Sequence, residues 1–191
     1  MATPLPTKRW TRLQYDRLIE CGVFQPGDRI ELIGGELIVR EPQRTPHSTA
    51  IELALDALRA AFGPGRRVRV QLPVALDEES EPEPDIAVVP GSPRDYLPSH
   101  PSSPVLIVEA AESSLSLDRE IKSSLYARAQ IVDYWIVDLV DHVLEVYRDP
   151  VAAPASPYGW RHASVTTLQG ADVVTPLAAP RSRVAVADLL P

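Results

Sequence analysis

Two stretches decide the fold of this chain: PEPDIAVVP at 82–90 and PVLIVEAAESSLSLDREIKSSLYARA at 104–129. DIAVV (85–89) and VLIVEA (105–110) are short, continuous apolar runs, the pattern of central strands covered on both faces. From Ser114 to Gln130 the pattern changes, and Leu117, Ile121 and Leu125 recur every four residues, which predicts a helix with that stripe against the sheet. Strand, proline-rich loop (GSPRDYLPSHPSSP, 91–104), strand and helix in this order predict an α/β fold.

The pattern extends in both directions. RRVRVQLPVAL (66–76) first alternates basic and apolar residues, as a half-buried strand does, and the acidic DEESEPEP (77–84) follows as a connection. HSTAIELALDALRAAFG (47–63) carries Ile51, Leu55, Leu58 and Phe62 near helical period and stops at Gly63. RIELIGGELIVRE (29–41) reads as a hairpin, because Gly34-Gly35 allows the positive φ of a two-residue turn. Thr11 is placed to cap a helix reaching about Cys21, with Leu13, Leu18 and Ile19 on one side. DYWIVD (133–138) and HVLEVYR (142–148) predict a second strand pair, and WRHASVTTL (160–168) and SRVAVADLL (182–190) are candidate edge strands. Trp135 and Tyr134 read as packing residues. The chain is expected to be one domain over 1–191, with an N-terminal helix at 10–22, a core at about 28–148 and C-terminal edge strands at 158–191.

Composition narrows the function. The single cysteine, Cys21, leaves no internal disulfide and fits a reducing cytoplasm. The start, MATPLPTKRWTRLQY, has no apolar stretch behind its charges, so no secretory signal is expected, and no window is apolar enough to span a membrane. A net charge of −7 argues against holding nucleic acid by charge alone. It leaves room for a metal-dependent nuclease, whose ligand carboxylates count as negative until the metal arrives. Arg66, Arg67 and Arg69, and also Lys8, Arg9 and Arg12, form small basic groups that read either as phosphate-facing patches or as solvated surface.

The chemistry gathers on Asp85, Glu109 and Lys122. Asp85 and Glu109 stand on strands expected to be neighbours, and Mg²⁺ usually takes one or two carboxylates plus water and phosphate oxygens. The carbonyl of Ala110 is a further candidate ligand. An ionised Glu109 at the end of a buried strand needs compensation, which a metal or a lysine supplies. Lys122, held by Asp118 four residues earlier, can reach back from the helix to orient a water or offset charge building on phosphate.

IELIGGELI (30–38), the helix opening with His47, PDIAVV (84–89), LIVEAAESSLSLDREIKSSLYARA (106–129) and DYWIVD with VLEVYR together resemble the Uma-two family, within the PD-(D/E)XK nuclease superfamily. The resemblance implies a restriction-endonuclease-like mixed β-sheet flanked by helices. It implies Asp85 and Glu109 as metal ligands, Lys122 as the signature lysine, Mg²⁺ (Mn²⁺ as substitute) as cofactor, and DNA as substrate. The superfamily's usual lysine position, two residues after the second acid, is Ala111 here. Glu31 and Glu36 match acidic positions of the family, and strand alternation can turn one of them toward the cleft. His47 is a candidate cap, phosphate contact or proton carrier, and Gln71 a candidate hydrogen-bond donor near the metal. Tyr126 reads as a packing residue, and Glu112 as pointing to the opposite strand face. Three activities stay open: a Mg²⁺-dependent DNA endonuclease, a non-cutting nuclease-fold binding module, and a nuclease acting on RNA. A homodimer, with 133–148 as edge strands at its interface, is also expected.

Overall fold

A computed structural model describes residues 7–40 and 42–191, so residues 1–6 of the expected signal-free start and Glu41 at the hairpin's end lie outside it. A hairpin, β1 (Ile30–Ile33) and β2 (Glu36–Val39), follows helix α1 (Arg12–Glu20). Helix α2 (Thr45–Phe62) leads into β3 (Arg66–Val70) and β4 (Ile86–Pro90). β5 (Leu106–Ala111) is followed by a wide helical segment, Leu117–Lys122, continuous with α3 (Ser123–Arg128). β6 (Asp133–Asp138), β7 (Val143–Ala152) and β8 (Trp160–Leu168) come next, then the two-residue strands β9 (Val173–Val174) and β10 (Val184–Ala185).

Among the described residues, the main sheet has six strands in the order β3-β4-β5-β6-β7-β8. Only β5 and β6 run parallel, and a parallel pair needs a crossover, which the segment ending in α3 provides. Every residue of β5 and β6 is buried, which the apolar run of 105–108 predicts for β5. Alternation then sorts β5 between two cores. Leu106, Val108 and Ala110 pack on the α2 side, and Ile107 and Ala111 pack with Tyr126, Tyr134 and Tyr147 on the other. Trp135 and Tyr134 are fully buried packing residues. No helix among the described residues is long and apolar enough to cross a membrane.

The hairpin turns through Gly34 and Gly35, both at positive φ, and α2 ends at Gly63, also at positive φ. Three expectations need correction. Thr11 does cap α1, in a capping box with Gln14, but Leu13 and Ile19 are exposed and the buried residue is Tyr15, whose hydroxyl donates to the Ile30 carbonyl at 2.6 Å. At roughly 100° per residue Leu13 stands well away from Leu18 and Ile19, so no single stripe exists and the aromatic docks the helix. Strands 133–148 are interior, flanked by β5 and β8, because β8 adds outside β7, and therefore offer no free edge. Within 182–190, β10 pairs with β9 in a separate two-stranded sheet instead of extending the main one. Val184, Val186 and Leu189 instead complete the core against α2. The acidic stretch 77–84 is a connection, as expected, and part of it is buried. Ser80 and Glu81 are buried, and the Glu81 N–H donates to the Leu32 carbonyl.

Candidate active site

β4 and β5 pair antiparallel, with Ile86 opposite Val108 as the last registered pair. One step beyond it Asp85 meets Glu109, on the face opposite to Ile86 and Val108. Two hydrogen bonds lock them: the Asp85 N–H donates to Glu109 Oε2 (3.2 Å), and the Ala110 N–H donates to Asp85 Oδ2 (3.0 Å). Within a strand, a residue's N–H and C=O point to the same side. The Ala110 carbonyl therefore faces the gap beyond the end of β4, where Ala110 lines a cavity of about 460 Å³.

The helical crossover brings the cation. The Ser123 N–H donates to the Asp118 carbonyl, five residues back, so the segment Leu117–Lys122 is a π-turn. The Tyr134 hydroxyl also donates to that carbonyl, at 3.2 Å. The widened turn corrects the expected apolar stripe: Leu117 and Ile121 are only half-buried, and Asp118, Lys122 and Tyr126 face inward. Lys122 Nζ lies 3.1 Å from Glu109 Oε1, 3.5 Å from Glu31 and 3.6 Å from Asp118. The Tyr126 hydroxyl donates to the same Glu109 Oε1 at 2.8 Å. Asp118 and Lys122 are thus a buried pair and not an exposed helical one.

The other candidates separate. Glu31, on β1, is 1% exposed, accepts the Glu83 N–H and faces Lys122. Glu36 is exposed at the far side of the turn and does not line the cavity, because Gly34-Gly35 reverses the chain between the two acids. His47 lies in the first turn of α2 without capping it, and its Nε2 is 3.1 Å from Asp85 Oδ2. Gln71 ends β3 at φ +49° and its amide donates to Asp85 Oδ1 at 3.2 Å. Glu112 lines the cavity and pairs with Arg44 at 3.5 Å, contrary to the expected opposite-face orientation, because β5 has ended at Ala111. Neither basic group reaches the cavity: Arg9 pairs with Glu79, Arg12 with Glu81, and Arg69 lies over Tyr96.

Sequence reading missed Arg40, Gln43, Arg44 and the role of Tyr126. Arg40 donates to Asp85 Oδ1 at 2.9 Å. Tyr126 was within reach of pattern reading, since Asp118, Lys122 and Tyr126 are spaced by four and share a helical face. Arg40 carried no comparable signal, because its approach to Asp85 is tertiary.

Electrostatics divides the two central acids. Burial would raise the Asp85 pKa, but His47, Arg40 and the Ala110 N–H together hold it well below the usual carboxylate range. Burial dominates at Glu109 and pushes it up to about 7, despite Lys122. Burial lowers the Lys122 pKa, but Glu109, Glu31 and Asp118 more than reverse that, so the amine stays charged. Burial likewise raises Asp118, with Lys122 and Ser114 opposing it. His47 is raised: burial works against the imidazolium, and Asp85 overcomes it. Four carboxylates (Glu31, Asp85, Glu109, Asp118) surround two permanent cations (Arg40, Lys122), so once Glu109 and Asp118 ionise the site carries negative charge that a divalent cation would offset. No group of three or more His, Cys, Asp or Glu is arranged as a metal cage among the described residues. Mg²⁺ is commonly held by only one or two carboxylates and completed by water and phosphate oxygens. The donor chemistry of Asp85, Glu109 and the Ala110 carbonyl fits it.

The mixed sheet and its crossover define a nuclease-like α/β fold. The same fold is seen in a crystal structure described as "a putative nuclease belonging to DUF820" from Anabaena variabilis ATCC 29413, which is 17% identical with a TM-score of 0.69, covering 94% of this chain and 97% of that one. The Uma2 family model, described as "Putative restriction endonuclease", matches residues 13–186, and the chain belongs to that family. No curated protein matches it.

Proposed function

We propose that this protein is a Mg²⁺-dependent endonuclease that hydrolyses phosphodiester bonds of DNA. One observation carries the reading: Asp85 and Glu109 meet on one face at the open end of β4 and β5, with the Lys122 ammonium 3.1 Å from Glu109. Asp85, Glu109 and the Ala110 carbonyl would hold the ion. Bound there, it would supply a Lewis acid for a phosphate oxygen and a water of lowered pKa. Tyr126 and Lys122 fix the Glu109 carboxylate from one side, and the Asp85 N–H fixes it from the other. Lys122, held charged by three carboxylates, steadies the negative charge that builds on the phosphate. Plasmid nicking in Mg²⁺, with Mn²⁺ as the alternative ion, tests the reading. Asp85→Asn, Glu109→Gln and Lys122→Gln are each expected to abolish cutting while the protein stays folded. Undiminished nicking by Asp85→Asn would end it. A panel of duplex DNA, single-stranded DNA and RNA separates DNA from RNA as substrate.

A second reading, a nuclease-fold binding module that does not cut, is favoured by a different observation. Each oxygen of Asp85 and Glu109 already has a protein partner, and the usual lysine position is the fully buried Ala111. Calorimetry distinguishes the two, because a module that takes no Mg²⁺ or Mn²⁺ at millimolar concentration has no basis for this hydrolysis. If two copies pair to cut both strands, the free edges of the main sheet are β3 and β8. Sedimentation with and without DNA tests that pairing, and a reducing, cytoplasmic setting is proposed with it.

A further inference from the structure

The cavity has a second wall that the hydrolytic centre does not use. Beside Arg40 and His47, the segment between β2 and α2 contributes Gln43 and Arg44 to the cavity lining. Gln43 Nε2 is buried and has no hydrogen-bond partner among the described residues. A buried amide needs an acceptor, and the cavity that Gln43 lines is where water or a bound ligand can supply one. Arg44, the residue before α2, makes no capping bond to the helix and is largely exposed. Its partner is Glu112, 3.5 Å away across the cavity mouth, with side-chain exposures of 78% and 34%. Such an exposed pair is worth little and exchanges readily. A phosphate offers the planar Arg44 guanidinium two oxygens at once, which the monodentate contact with Glu112 does not match.

Resting on the nuclease reading above, we infer that Arg44 and Gln43 form a subsite for a backbone phosphate neighbouring the one to be cleaved, and that Glu112 guards it by holding Arg44 until that phosphate arrives. Acceptors from DNA satisfy the Gln43 amide and the released guanidinium together. Glu112, left facing a phosphate, opposes binding by like charge. The subsite sets how the strand lies across Asp85 and Glu109, and it explains how a protein of net charge −7 could take a polyanion at one defined place.

The test measures binding of a short fluorescein-labelled DNA duplex by anisotropy, using the full chain with Ca²⁺ replacing Mg²⁺ and a gel showing that the probe stays intact. Arg44→Gln is expected to weaken binding roughly tenfold and to lower the salt slope by about one unit. Arg44→Lys should restore the slope but only part of the affinity. Glu112→Gln should tighten binding several-fold, and Gln43→Leu should weaken it with the salt slope unchanged. Arg66→Gln, on the edge strand β3 away from the cavity, serves as control for binding by charge alone. The inference is overturned if the unchanged protein binds and Arg44→Gln binds equally well, if Arg66→Gln costs as much as Arg44→Gln, or if Glu112→Gln weakens binding. Failure of the unchanged protein to bind any duplex would instead remove the nuclease reading, and this subsite with it.

Discussion

Lys122 Nζ sits 3.1 Å from Glu109 Oε1 although the two residues belong to different elements, and both are almost fully buried. The contact joins the crossover helix to the central strand at the one place where that strand carries a charge. Glu31 and Asp118 share the same ammonium, so one cation answers to three acids supplied by three parts of the chain.

Lys122→Met should therefore be costly in the metal-free protein. Removing one partner of a buried ionic cluster usually costs about 3–5 kcal/mol. Urea unfolding is expected to show a loss of that size, and added Mg²⁺ should recover part of it by replacing the missing positive charge. A loss below about 1 kcal/mol would mean that the surrounding acids do not depend on the lysine.

The pH dependence has a defined sign. Glu109 is raised to about 7 from an ordinary 4.5, so between these values the folded protein binds more protons at this group than the unfolded chain does. Its contribution to stability is then complete below the ordinary value and is lost as pH rises through about 7. His47, raised above its ordinary 6.5, acts in the same direction. Asp85 is depressed, and its contribution disappears only in strong acid. Lys122, Arg40 and Glu31 complete the surroundings, and Asp118, also raised, adds to the trend. Without metal, the melting temperature should fall between pH 5.5 and 8 by several degrees, given roughly 2–4 °C per kcal/mol for a chain of this size. Glu109→Gln should flatten much of that slope, and an unchanged slope would contradict the assignment. Ion affinity should move oppositely, strengthening as Glu109 ionises.

Arg40 competes with any cation for Asp85 Oδ1, where it donates at 2.9 Å. Arg40→Gln should tighten Mn²⁺ binding about tenfold, by removing a positive charge beside the ligand. It should also destabilise the metal-free protein, because Asp85 loses its closest permanent cation. Calorimetry with Mn²⁺ reads the first effect and thermal unfolding the second. Weaker Mn²⁺ binding would show that Arg40 orients Asp85 more than it opposes the ion.

The hairpin holding Glu31 depends on its turn. Gly34 has φ +55°, and a Cβ there would come within 2.5 Å of the Tyr158 ring. Gly34→Ala should cost about 1–2 kcal/mol, combining the left-handed backbone penalty with displacement of Tyr158 from its place against Arg128. Denaturant unfolding measures this, and no loss would mean both that Tyr158 moves aside and that the turn leaves the left-handed conformation without cost.

The central strands were legible because their burial on both faces leaves a one-dimensional mark: IAVV (86–89) and VLIV (105–108) are apolar without interruption. Asp85 and Glu109 stood out for the same reason, as charges bordering those runs. The misreadings arose where the marks depend on more than local period. In α1 one aromatic outweighs the aliphatic residues around it, because docking uses the Tyr15 hydroxyl as well as its ring. In 114–130 the four-residue spacing of the leucines and isoleucine coincides with the spacing of Asp118, Lys122 and Tyr126, and only the unseen partner acids decide which set turns inward. Strands 133–148 passed for an edge because β8, whose sequence is polar and weakly patterned, covers them. Gln43 and Arg44 left no mark at all, since nothing local distinguishes an arginine facing a cavity from one facing solvent.

The π-turn between Leu117 and Lys122 works as a phase shifter. Its extra residue advances everything upstream relative to α3 by about 100° compared with a regular helix. Removing one residue from this turn would leave α3 seated by Leu125 and Tyr126 while swinging the Asp118 side away from its neighbours. Side-chain placement and architecture are thereby uncoupled at one peptide unit: the scaffold can keep its shape while Asp118 is turned toward Lys122 or away from it.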